Sequence, residues 1–137
     1  PNNQLEEIHE FFHKLAIPYD TRIFFDNFIE KLYQTDILIA RAGAGTVSDV
    51  IITQTPTIFV PLPSAANQHQ NYNANYLIDK KMALLIEEKN LSHKESLLTL
   101  MQLIINSDQQ ANMIKNLQKI KNFDTNQLIY NYLNGKS

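Results

Sequence analysis

Residues 36–49, Asp-Ile-Leu-Ile-Ala-Arg-Ala-Gly-Ala-Gly-Thr-Val-Ser-Asp, constrain the fold more than any other stretch. The apolar run 37–40 is the kind of strand that a parallel sheet buries on both faces. Gly43 and Gly45 permit positive φ and close backbone approach. Thr46 is placed to cap a helix through Val47, Val50 and Ile51. A helix starting at the carboxyl end of a parallel strand aims unpaired N–H groups and a positive dipole end into a crevice. The stretch therefore predicts a bound phosphate, although a tight connection without a ligand would use the same residues. The three-glycine dinucleotide fingerprint is absent, and no Lys follows the turn as a Walker-type loop requires.

The rest of the composition narrows the class. A chain of 137 residues suits one domain with a sizeable core. Net charge is −2, and Arg22 and Arg41 are the only arginines, so no basic nucleic-acid surface is expected. There is no cysteine, which excludes disulfides, thiolate zinc sites and thiol catalysis. No apolar run approaches the roughly 18 residues of a membrane span. No signal peptide is visible. The chain opens on Pro1-Asn2-Asn3 without an initiator Met, which points to a processed product or a piece of something longer.

Apolar spacing lays out the elements. Leu5, Ile8, Phe11, Phe12 and Leu15 share a helical face, and Pro18 ends that helix. Residues 22–25 read as a strand. Asp26 reads as the N-cap of a helix through Phe28, Ile29 and Leu32. Strand 37–40 and helix 46–53 follow, then strand 57–60, stopped by Pro61 and Pro63. A polar loop over 64–67, a helix over 68–80 and a strand over 83–86 complete the alternation. Short apolar strands alternating with helices predict an α/β fold, a Rossmann-like parallel sheet with helices on both faces. Beyond Ser92 only helices are expected. Leu97, Leu100, Met101 and Ile104 form one apolar face, Met113, Leu117 and Ile120 a second, and Leu128, Ile129, Tyr132 and Leu133 a third. The alternation begins on a helix, and only four strands are readable, so the sheet is expected to lack its first members.

Other residues have two readings each. Asp49 is either the partner of Thr46 in a capping box or a carboxylate accepting both hydroxyls of a ribose. His69, Gln70 and Asn73 lie at i, i+1 and i+4 on a helix start. They form either an exposed polar helix end or a sugar-hydroxyl site. His9, His13 and His93 read as surface residues, and the Phe11–Phe12 and Phe24–Phe25 pairs as core. No His/Asp/Glu grouping has metal-ligand spacing.

Three motifs in fixed order carry a family resemblance. They are Phe25-Asp26-Asn27-Phe28 with Ala40-Arg41-Ala42-Gly43-Ala44-Gly45-Thr46-Val47-Ser48-Asp49, then Phe59-Val60-Pro61-Leu62-Pro63, then Asn67-Gln68-His69-Gln70-Asn71-Tyr72-Asn73-Ala74. Together they resemble the donor half of the bacterial MurG family, GT-B glycosyltransferases with two Rossmann-like domains. The likeness is good over 22–88 and thin beyond.

The resemblance implies an incomplete GT-B C-terminal domain with a helical C-terminal tail. It implies UDP-GlcNAc lying across the carboxyl ends of the strands. The Phe25 backbone would meet the uracil, and Ala44, Gly45 and Thr46 would hold the diphosphate beside Arg41 and Gly43. Asp49 would bind the ribose, and His69, Gln70 and Asn73 the GlcNAc. No metal or other cofactor is implied. The complete enzyme would pass GlcNAc to lipid I, forming lipid II for peptidoglycan on the cytoplasmic face of the inner membrane. The acceptor domain, with its lipid surface and general base, is not represented in these motifs. This chain has Asp49 where the family usually has Glu, and His69 where it has an amide. A donor-binding subunit of a split transferase and an inactive gene fragment are the competing readings.

Overall fold

The computed structural model describes residues 2–16, 18–63 and 68–121, with backbone alone for 2–4, 68–73 and 121. Helix α1 spans Asn2–Leu15 and α2 spans Phe28–Tyr33. Then come β1 (Leu38–Ala40), α3 (Ala44–Thr53), β2 (Thr57–Phe59), α4 (Gln68–Asp79) and β3 (Leu84–Leu85). A single 3-10 turn over Glu88–Asn90 leads to α5 (Lys94–Ile105) and α6 (Ser107–Lys121). The loop expected over 64–67 and the apolar group Leu128–Leu133 lie outside the described residues.

The sheet runs β1-β2-β3, and both pairings are parallel. Register sets Ile39 beside Ile58 and Ala40 beside Phe59, and then Ile58 beside Leu84. In a parallel sheet each strand must be joined to the next by a crossover, which α3 and α4 supply. Both helices therefore begin at the carboxyl edge of the sheet.

Period-two alternation on β2 divides the core. Phe59 points into a cluster with Val47, Val50 and Ile51 of α3, Ala74 and Leu77 of α4, and Leu117 and Ile120 of α6. Ile58 points the other way, to Ile86, Leu103 of α5 and Met113 of α6. Every β2 residue is buried, as a central strand covered on both faces must be. The α/β fold with helices on both faces is therefore the one the alternation predicts. Thr55, also buried, donates to the Leu32 carbonyl (3.1 Å) and shares a hydroxyl contact with Thr53 (2.8 Å). That ties α2 to the end of α3.

Several expectations need correction. Residues 22–25 form no strand. Ile23 is 83% exposed and Phe24 76%, and the described sheet ends at β1, so no neighbour satisfies their backbone as a strand. Phe11 is also exposed, so neither Phe pair is core. Phe12 instead stacks on Tyr19, and His9 bonds the Tyr19 and Thr21 hydroxyls, closing α1 onto its own following loop. The N-cap of α2 is Asn27 rather than Asp26, and it makes no side-chain cap.

Candidate donor-binding site

The helix after the glycine turn starts two residues earlier than its sequence predicts. Gly43, not Thr46, is the N-cap of α3, with φ −67° and ψ 150°. The first intrahelical bond runs from the Val47 N–H to the Gly43 carbonyl at 2.9 Å. The N–H groups of Ala44, Gly45 and Thr46 therefore precede any intrahelical acceptor. Among the described residues no side chain caps them. Thr46 sits inside the first turn, so the Thr46–Asp49 capping box does not exist.

Neither glycine uses the conformational freedom expected of it. Gly43 is in the extended region and Gly45 is helical. A Cβ on Gly43 would meet only the Thr46 Oγ1, at 3.9 Å, and one on Gly45 would meet nothing within 4 Å. Among the described residues, Gly45 thus faces open space and Gly43 only an ordinary contact with Thr46.

Asp49 lies one turn further along α3, half-buried. Its carboxylate has no hydrogen-bond or ion-pair partner among the described residues. It borders an open depression of about 700 Å³ whose other wall is the 23–30 segment, including Phe25. Phe25 is half-buried, and the Arg22 guanidinium lies 5.4 Å from its ring centroid. Arg22 is itself paired with Asp20 at 3.0 Å. The structure therefore brings Phe25 and Asp49 to one depression, with Asp49 one turn along α3 from its uncapped start.

Arg41 does not reach out as a free cation. Its guanidinium forks onto Glu88, with Nη2 to Oε1 at 2.8 Å and Nη1 to Oε2 at 3.1 Å. Nη1 also donates to the carbonyls of Val60 (3.0 Å) and Pro61 (3.4 Å). The hydrogen bond holds the Glu88 carboxyl below its usual range and raises Arg41 above its own. Glu88 was not singled out by sequence. Its signal was a carboxylate just past an apolar parallel strand, at the edge where ligands bind. His69, Gln70 and Asn73 fall on the opening turns of α4, whose backbone alone is described there.

Among the described residues no group of His, Asp and Glu is disposed to hold a metal, and no helix is long and apolar enough to cross a membrane.

A parallel sheet carrying an uncapped helix start at its carboxyl edge defines the Rossmann-like class of α/β domain. The chain belongs to glycosyltransferase family 28: the sequence model of that family's C-terminal domain matches residues 1–128. It is similar to the UDP-N-acetylglucosamine–N-acetylmuramyl-(pentapeptide) pyrophosphoryl-undecaprenol N-acetylglucosamine transferase of Rickettsia felis, with 39% identity over 80% of this chain and 31% of the relative. The Rickettsia rickettsii enzyme of the same name is 37% identical over 80% of this chain and 30% of its own length. Acinetobacter baumannii MurG superimposes with a TM-score of 0.63 at 29% identity, over 72% of this chain and 28% of that one. The chain thus spans about a third of the length of the curated relatives it matches.

Proposed function

We propose that this chain is the UDP-GlcNAc-binding portion of a MurG-like transferase that moves GlcNAc onto lipid I, yielding lipid II and UDP. The relatives' names supply the donor and acceptor chemistry. The observation that carries the reading is the uncapped amino end of α3, with Asp49 one turn along the same helix bordering the depression that Phe25 lines.

In this reading the N–H groups of Ala44, Gly45 and Thr46, with the Thr46 hydroxyl, donate to the diphosphate. Asp49 accepts from the ribose hydroxyls, and the Phe25 backbone meets the uracil. His69, Gln70 and Asn73 meet the sugar. The acceptor's 4-hydroxyl attacks the anomeric carbon, the bond to the diphosphate oxygen breaks, and the configuration inverts. The helix end stabilises the negative charge gathering on departing UDP, so no metal is required. The general base and the lipid-binding surface belong to an acceptor domain, and the reaction takes place on the cytoplasmic face of the inner membrane.

Calorimetric titration with UDP and UDP-GlcNAc tests the reading. Weak binding of both is expected, because the depression is open and the chain spans only about a third of its relatives' length. It should persist in EDTA and weaken in Asp49→Ala and Thr46→Ala. Unchanged affinity in both variants would overturn the site. The isolated chain is expected not to form lipid II.

A further inference from the structure

Arg41 follows β1, Val60 and Pro61 follow β2, and Glu88 follows β3, so one guanidinium spans the carboxyl ends of all three strands. Backbone bonds join those ends just below, from the Val60 N–H to the Ala40 carbonyl (2.8 Å) and from the Ile86 N–H to the Phe59 carbonyl (2.9 Å). Pro61 has no N–H with which to extend that ladder. The Arg41 side chain supplies the next rung, donating to the Val60 and Pro61 carbonyls while Glu88 holds it from the far side. The planar fork makes all four contacts at once, which an ammonium could not. Residues 61–63 are the described lead-in to α4, which bears His69, Gln70 and Asn73. Pro61, Leu62, Pro63 and Glu88 also line one open cavity together with Asn75 of α4.

We infer that Arg41 and Glu88 are a positioning pair that sets the 61–63 loop and the start of α4, and with them selectivity for the donor's sugar rather than its diphosphate. The second half of this inference rests on the donor-binding reading above. Arg41 is then not a phosphate contact, since its charge is already matched by Glu88.

Both side chains are more than a third exposed, at 44% and 36%. Water screening keeps such a pair's share of stability small, so variants at either position should fold. The first measurement needs no ligand. Amide nitrogen–proton spectra of Glu88→Gln should shift at Leu62 and along the first turn of α4. Changes confined to residues 41 and 87–90 would overturn the positioning role. The second compares UDP-GlcNAc with UDP. Glu88→Gln and Arg41→Lys should each weaken UDP-GlcNAc about fivefold or more while leaving UDP within about twofold. Glu88→Asp, which keeps the carboxylate, should recover part of the difference. If instead Arg41→Lys weakens both ligands equally and Glu88→Gln strengthens both, Arg41 is a direct phosphate contact and the inference fails. If the wild-type chain binds neither ligand, the sugar-selectivity half falls with the donor reading. The spectra then decide the positioning half by themselves.

Discussion

At the scale of single residues, the site turns on backbone donors that no side chain caps among the described residues. Gly43 is the N-cap of α3 and offers no side-chain acceptor to the N–H groups of the first turn. A Ser at that position would place a hydroxyl within reach of the Gly45 and Thr46 N–H groups. Gly43→Ser should therefore hold or slightly raise thermal stability, by a few tenths of a kcal/mol. The same hydroxyl would compete with phosphate, so UDP affinity should fall in titration. A variant that gained stability and kept full affinity would show that those donors are not used. Asp49 makes a complementary case. Its carboxylate is half-buried and has no partner among the described residues. If ribose hydroxyls are what it awaits, Asp49→Ala should cost about tenfold in UDP affinity, the size of a charge-assisted hydrogen bond. Asp49→Glu, one methylene longer, should retain or improve binding. These residues were legible because strand, turn and helix start are contiguous in sequence. Two things were not. The chain carries a plausible cap at Thr46, and only the backbone angles of Gly43 reveal that the helix has already begun. The Arg41–Glu88 pair was not legible because its members lie 47 residues apart.

At the scale of elements, order and type followed from local pattern, while pairing did not. The alternation from β1 to β3 is as its sequence predicts, because each strand is a short apolar run bounded by Gly, Pro or charge. Residues 22–25 carry the same signal, Arg-Ile-Phe-Phe, yet form no strand. A strand is defined by its neighbour, and the sheet described here ends at β1. Helix α3 offers a test of how such elements end. Gln54, just past it, adopts φ 59° and donates its N–H to the Val50 carbonyl at 2.8 Å. The left-handed region costs a side-chain-bearing residue about 1–2 kcal/mol, whereas Gly loses about 0.5–1 kcal/mol in chain entropy. Gln54→Gly should thus gain about 0.5–1 kcal/mol, read as a melting temperature higher by about 2–4 °C. A loss would mean that the Gln54 side chain contributes packing that outweighs the backbone strain. The strut between β1, β2 and β3 has its own signature in pH. Glu88 titrates below its unfolded value because it bonds Arg41, so the pair is intact above the ordinary carboxylate range. It should be lost only as pH falls through the depressed value. The neighbouring charges do not replace it, since Lys89 is engaged by Glu87 at 2.8 Å. The Leu62 amide shift should therefore stay flat from neutral pH down to that range and move below it.

At the scale of the whole molecule, burial separates aromatic residues that composition treats alike. Phe59 is fully buried on the central strand, against three helices. Phe24 is 76% exposed beside Ile23, and Ile39 on the edge strand is 53% exposed. Helix α5 covers β2 and β3 on that face through Leu103 and Leu100 but leaves Ile39 open. Adjacent phenylalanines give no periodicity from which to tell which is core. The distinction needs the strand order, and hence contacts distant in sequence. It makes a paired prediction. Phe59→Ala removes a ring that α3, α4 and α6 enclose, and should cost about 3–5 kcal/mol in denaturant unfolding. Phe24→Ser should cost less than about 0.5 kcal/mol, because little buried contact is lost. Exposed apolar surface of this kind promotes association in water, so the same Ser variant should sediment as a smaller species at high concentration than the parent chain. Equal destabilisation by both substitutions would mean that Phe24 is buried in solution, and that the 22–25 segment lies against the sheet after all.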